Sequence, residues 1–216
     1  NINVFCIDYY GQGENVDDEN KLGIVPRSFF SKSVRVLDDL VKQYSIKGKP
    51  VTVMGHSMGS FIIQDYIQRY SKNATKAIIM GSDGPNSNFS YKIGYQLARF
   101  ICKIKGEEKQ AKMLKSLAIG GYAKSVKHRK TDSDWLSFNE DNVNKYIADP
   151  KCGHPSSNGF YRELLKGNHR LYKTKFLRFI LYTFGKTCIV IVVLPTCLAP
   201  VIATDLDVSN LFFNVS

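Results

Sequence analysis

Five residues, Gly55-His56-Ser57-Met58-Gly59, constrain the fold of this chain more than any others, because of what flanks them. Residues 50–54 form a short β-branched apolar run that reads as a buried strand. After the five come Ile62, Ile63, Tyr66, Ile67 and Tyr70 at helical spacing. A strand that becomes a helix so abruptly needs a sharp corner. Glycines are expected on both sides of the serine because strand and helix approach there too closely for a Cβ. Such a corner lifts the serine hydroxyl clear of the sheet, at a helix N-terminus whose dipole and free N–H groups favour developing negative charge. The alternative is that Ser57 merely caps a helix. The strand–turn–helix context favours a nucleophile position.

The elements around this corner alternate. Residues 2–8 read as a strand, followed by a turn-rich stretch from Asp8 to Glu14. Residues 29–44 read as a helix with Phe30, Val34, Leu37, Val41 and Tyr44 on one face. The strand before the corner, the helix to Tyr70 and a buried strand at residues 76–80 complete the first part. Strands alternating with helices imply a parallel sheet covered on both faces, with reactive groups at the carboxyl ends of the strands, where Asp8, Ser57 and Asp83 fall. This core is expected to span residues 1–85.

From residue 86 to 175 the strand signal vanishes and the chain reads as an all-helical insertion, a cap over the site. Its clearest helix starts at the capping box Ser137-Phe138-Asn139-Glu140 and ends before Asp149-Pro150. Residues 176–216 form an apolar tail. Residues 187–203 carry no charge, which approaches the length of a membrane span. Two prolines and the β-branched run 189–193 favour one core strand and a loop instead.

Charge and cysteine usage narrow the classes further. The net charge is +11, and residues 99–130 hold ten Lys or Arg against Glu107 and Glu108. The plain reading is a solvated helical face; the alternative is contact with an anionic membrane surface. Nucleic acid is not expected, since neither a recognition motif nor an aromatic platform accompanies the charge. Five scattered cysteines without a C-x-x-C pair, and four histidines without ligand spacing, predict no metal and a reducing, cytoplasmic setting with membrane association open. No cofactor is expected. The chain starts on Asn1, which reads as a processed chain or a fragment.

Four stretches carry a family resemblance. Asp8-Tyr9-Tyr10-Gly11-Gln12-Gly13 resembles a D-x-x-G-x-G turn after an early sheet strand. Residues 55–59 match an elbow of G-x-S-x-G type, residues 133–153 resemble a cap segment, and residues 160–165 resemble the helix that closes it. Together they resemble α/β-hydrolases of the serine aminopeptidase, monoacylglycerol lipase and lysophospholipase type, over roughly residues 1–175. The resemblance implies an α/β-hydrolase fold with a helical cap, incomplete at both ends. It also implies a lipid-like acyl ester as substrate.

The resemblance makes Ser57 the nucleophile and the backbone N–H of Met58 one oxyanion donor. His56 fills a variable position and reads as structural, and Asp8 with its glycines as shaping a loop beside the site. The second oxyanion donor would come from a loop upstream of Asn1. The triad acid and base are not identifiable: the family order is Ser, Asp, His, yet no histidine follows His169. Asp83, Asp205, His154 and His169 are the candidate substitutes. Two functions follow as expectations. One is a serine hydrolase acting through an acyl-Ser57 intermediate; the other is a catalytically inactive or truncated hydrolase-fold chain acting as an interaction module. A tail that leaves the family pattern after residue 176 is also what a shifted reading frame or retained intron would give.

Overall fold

The computed structural model describes residues 3–82, 88–173 and 189–192, with residues 119–125 and 189–192 described by their backbone alone. Helix α1 (Phe29–Tyr44) precedes strand β1 (Thr52–His56), helix α2 (Met58–Tyr70) and strand β2 (Lys76–Met80). Helices α3 (Asn88–Lys105), α4 (Lys112–Ser125), α5 (Glu140–Ala148) and α6 (Asn158–Leu171) follow, and strand β3 (Ile189–Val192) comes last. The strands lie in the order β1-β2-β3. Both pairings are parallel, running from Thr52 opposite Lys76 to His56 opposite Met80, and from Ala77 opposite Ile189 to Met80 opposite Val192. Parallel neighbours need a crossover, and α2 supplies the one between β1 and β2. The run at 189–193 thus enters the sheet as expected, while the rest of the tail lies outside the described residues.

The core forms where the strand and helix periods meet. Val53, Ala77 and Ile79 point to one side of the sheet and pack with Phe30, Val34, Val41, Ile62, Ile63, Tyr66 and Ile67 of α1 and α2. Among the described residues this is the covered face; Thr52, Met54 and His56 on the other side of β1 are exposed. Among the described residues the expected cover on both faces is met on one.

Two helix expectations need correction. On α1, Tyr44 is exposed and stacks on Phe5, with ring centroids 4.3 Å apart, whereas Asp38 is buried. Burial of Asp38 is tolerated because Asn73 Nδ2 donates to it at 2.7 Å and Lys42 Nζ lies 2.6 Å away. The N-cap of α5 is Asn139, whose side chain accepts from Asp141 N, so Ser137 lies outside the helix. Its hydroxyl accepts from Asn139 N instead.

The strand expected at residues 2–8 does not form: residues 3–9 have no regular structure. Val4 is 77% and Phe5 59% exposed. A strand's backbone is satisfied by pairing, and no described strand lies beside this one, so its apolar pattern alone does not order it.

The helical stretch after β2 is organised by α6. Along one side it packs on α3, where Phe160 and Tyr161 join Ala98, Ile101, Ala111, Leu114 and Phe29. Along the other it meets α1 so closely that a Cβ on Gly167 would stand 2.5 Å from the Phe30 ring. Buried charge ties the helices together. Asp65 of α2 accepts from Arg69 at 3.0 Å and from Arg170 of α6 at 2.6 Å, and Arg170 also reaches the Ser31 hydroxyl of α1. Among the described residues no helix is long and apolar enough to cross a membrane.

Candidate active site

Ser57 sits between β1 and α2 with φ 51° and ψ −118°. A positive φ is strained for a residue with a Cβ and persists only where its surroundings enforce it. Three contacts do so. Ser57 N donates to Met80 O of β2 at 3.0 Å; Ser57 O accepts from Ser60 N at 2.9 Å and from the buried Ser60 hydroxyl at 2.5 Å. The corner is thus held at both its N–H and its carbonyl, and the Ser57 side chain is left exposed. Among the described residues its hydroxyl has no hydrogen-bond partner.

The two flanking glycines differ, which corrects the expectation that neither position has room for a Cβ. At Gly55 a Cβ would stand 2.3 Å from Gly59 O and 2.7 Å from Ile63 Cγ1. At Gly59 the nearest atom would be the Tyr9 hydroxyl, at an ordinary 3.7 Å. Only Gly55 is required by close approach.

Met58 opens α2, so its N–H is one of the first-turn donors that have no carbonyl one turn back to bond. Its side chain packs against both apolar clusters, which fixes the first turn of the helix. The arrangement is an exposed hydroxyl on a rigid, strained corner beside a helix N-terminus, suited to attack on an electrophilic carbon with an oxyanion held by backbone N–H. His56 is exposed, with its ring leaning over Gly81, where a Cβ would stand 3.2 Å from Nε2. Its side chain lies on the far side of β1 from the core.

Asp8 organises its turn: its carboxylate accepts from Glu14 N at 3.0 Å and fills the space where a Cβ on Gly13 would go. Gly11, at φ 74°, abuts Ile24 O and accepts from Gly23 N, and Gly23 O in turn accepts from Ser157 N at the start of α6. The D-x-x-G-x-G turn thereby connects the corner region to the helical stretch, through Tyr9 beside Gly59 and Gly23 beside Ser157.

Of the candidate substitutes for the acid and base, His154 and His169 lie among the described residues. His169 Nδ1 donates to Asn88 Oδ1 at 2.7 Å, between α6 and α3. His154 borders a cavity of about 240 Å³ lined by Glu19, Leu22, Glu108 and Gln110, with no residue of the corner among its walls. Burial, with smaller contributions from Lys173 and Lys115 respectively, holds both imidazoles below the usual histidine range. Neither ring is a hydrogen-bond partner of Ser57. Asp83 and Asp205 lie outside the described residues. No group of three His, Cys, Asp or Glu among the described residues is placed to hold a metal.

Two features escaped the sequence. Ser60 reads as an ordinary first-turn residue, and only its hydroxyl's bond to Ser57 O reveals that it braces the corner. Behind the corner, Gln64 Nε2 donates to Ser82 Oγ and to the Tyr172 hydroxyl, while Tyr172 stacks on Tyr91 with centroids 5.9 Å apart. This cluster joins α2, the end of β2, α3 and the end of α6; no local pattern marks contacts so distant in sequence.

Comparison with known proteins agrees with this geometry. A family model described as serine aminopeptidase, S33 matches residues 1–175. No curated protein matches the chain. Among solved structures, it is similar to a highly thermostable carboxyl esterase from Bacillus coagulans in complex with glycerol, at 20% identity and a TM-score of 0.66, over 85% of this chain and 58% of that one. It is similar to a lipase in open form at 16% identity and a TM-score of 0.69, over 85% and 59%. A soluble variant of monoglyceride lipase from Saccharomyces cerevisiae, in complex with a substrate analog, gives 16% identity and a TM-score of 0.54, over 85% and 56%. At such identities the likeness is one of fold, and the chain spans less than two thirds of the length of these proteins. With a family match over most of its length and a parallel sheet carrying the strained G-x-S-x-G corner, the chain has the α/β-hydrolase fold and belongs to the serine aminopeptidase S33 family.

Proposed function

We propose that Ser57 is the nucleophile of a serine ester hydrolase of the lysophospholipase or monoacylglycerol lipase kind, cleaving a carboxylic ester of a lipid-like substrate. The observation that carries this reading is the strained backbone of Ser57, braced by Met80 and Ser60 with its hydroxyl exposed at the start of α2. In the reaction the Ser57 oxygen adds to the ester carbonyl carbon as its proton passes to a base, and the Met58 N–H takes the oxyanion. Collapse breaks the bond to the alcohol, which leaves with the proton, and water then releases the acid from acyl-Ser57. Residues 86–175 act as the cap that excludes water from this step, on a core formed by residues 1–85. The basic stretch 99–130 faces anionic headgroups.

A second reading is favoured by one observation: neither His154 nor His169 meets Ser57. It is a hydrolase-fold chain that binds an ester-like ligand, or a partner, without turning it over. Fatty-acid release from a monoacylglycerol and from a lysophospholipid, measured for the chain and for Ser57→Ala, separates the two. Release that disappears with Ser57 supports the hydrolase. Equal, background-level release from both proteins supports the binding module.

A further inference from the structure

The helical stretch joins the sheet at two places, and one side chain holds both. Strand β2 ends at Met80, so Ser82 stands where the chain leaves the sheet for α3. Helix α6 ends at Leu171, so Tyr172 stands where the chain leaves the helices on its way to β3. Gln64 of α2 reaches the pair. Its Nε2 donates to Ser82 Oγ at 2.5 Å and to the Tyr172 hydroxyl at 3.3 Å, and the two hydroxyls lie 3.5 Å apart. The side-chain amide nitrogen carries two hydrogens, so both bonds form at once.

Aromatic rings repeat the same union. Tyr91, in the first turn of α3, stacks on Tyr172 with centroids 5.9 Å apart, and Phe61 of α2 meets both rings edge-on at 6.2 and 6.4 Å. Such contacts are directional, so they fix angle as well as distance. The bond from His169 Nδ1 to Asn88 Oδ1, at 2.7 Å, closes the first turn of α3 onto the last turn of α6. Phe61 and Gln64 are three residues apart and share one face of α2. Arg170 already ties the end of α6 to Asp65 of that helix. What Gln64 adds is the exit from the sheet, so the start and the end of the helical stretch are bound to α2 together.

We propose that Gln64 is a positioning residue for the reaction at Ser57, acting through Ser82 and Tyr172 to set where the cap stands over the nucleophile. Ser57 begins the same helix to which both ends of the cap are bound, so cap and nucleophile share one reference. An acyl chain long enough to rest on the cap then brings its carbonyl carbon to the Ser57 oxygen at one fixed distance. A displacement of about 1 Å at that point costs up to ~100-fold in rate. A short acyl group that does not touch the cap is indifferent to it. This role rests on the ester-hydrolase reading above.

Hydrolysis of p-nitrophenyl decanoate and of p-nitrophenyl acetate by the full chain tests it, with Ser57→Ala as the blank for both esters. In Gln64→Leu, which keeps the bulk of the side chain and loses both hydrogen bonds, kcat/KM for the decanoate is expected to fall about tenfold or more. For the acetate it holds. Ser82→Ala combined with Tyr172→Phe removes the two acceptors while leaving Gln64 in place, and is expected to give the same split; it also carries the test should Gln64→Leu fail to fold. An equal fall for both esters overturns the inference, since loss of structure at Ser57 would not spare the shorter one. An unchanged decanoate rate overturns it too. Ser57-dependent hydrolysis of neither ester by the unmodified chain overturns the ester-hydrolase reading and this role with it, a result that the other two failures cannot mimic.

Discussion

The Gly59 carbonyl oxygen stands where a Cβ on Gly55 would need to be, 2.3 Å from it, so strand β1 and the first turn of α2 meet through bare backbone. That contact lets the chain reverse from strand to helix around a single strained serine. The two glycines of the motif therefore respond differently to the same change. Gly55→Ala forces the helix off the strand and is expected to cost about 1–3 kcal/mol, with loss of any reactivity at Ser57. Gly59→Ala meets only the Tyr9 hydroxyl at 3.7 Å, within a helix that favours alanine by about 1 kcal/mol. Urea denaturation of the two variants checks this: the first midpoint falls and the second holds or rises. A fall at Gly59 as large as that at Gly55 contradicts the packing described.

Asp65 links α2 to α6 through Arg170 and to its own helix through Arg69. Its carboxylate is almost fully buried, and the Arg170 guanidinium already has one nitrogen, Nε, without a partner among the described residues. Asp65→Ala leaves that cation without its counter-charge and is expected to lower stability by about 3 kcal/mol. Asp65→Asn, which keeps a hydrogen-bond acceptor, is expected to lose less. Equilibrium denaturation ranks the pair, and equal losses contradict a contribution from the hydrogen bonds beyond that of the charge.

Glu107 is held by Arg162 and Arg27, which bring its carboxyl down from the ordinary 4.5 to about 2. A depressed pKa in the folded chain means stability that is present in full above pH 4.5 and lost as the pH falls towards 2. Glu107→Gln gives up that stability at neutral pH. Its melting temperature is then expected to fall less steeply than that of the unmodified chain across this window. Parallel curves between pH 4.5 and 2 contradict the linkage.

The parts of this molecule legible in the sequence are those governed by local periodicity. The helix from Ile62 to Tyr70, the strand at residues 76–80 and the strand beginning at Ile189 follow from alternation and 3.6-residue spacing, and all three form. Residues 2–8 carry the same kind of apolar signal, yet residues 3–8 stay irregular, because a strand also needs a neighbour, which its own sequence does not supply. On α1 the periodicity places Tyr44 on the inner face, yet Tyr44 stays exposed against Phe5 while Asp38 is buried through its pairing with Asn73 and Lys42. Ser57 was legible through the motif. Ser60, Tyr9 and the Gln64–Ser82–Tyr172 cluster were not, since their roles arise from contacts between distant segments. The positions of His154 and His169 follow from how α3, α6 and the loops pack, and in them neither ring hydrogen-bonds to the serine.

The most direct test of the account is covalent labelling of Ser57. The purified chain, confirmed folded by circular dichroism, is incubated with a fluorophosphonate probe beside Ser57→Ala, and the adduct is located by mass spectrometry. The account predicts a single adduct on the Ser57 peptide that is absent from the variant. A folded chain that acquires no adduct, or one that labels equally well after Ser57→Ala, contradicts it.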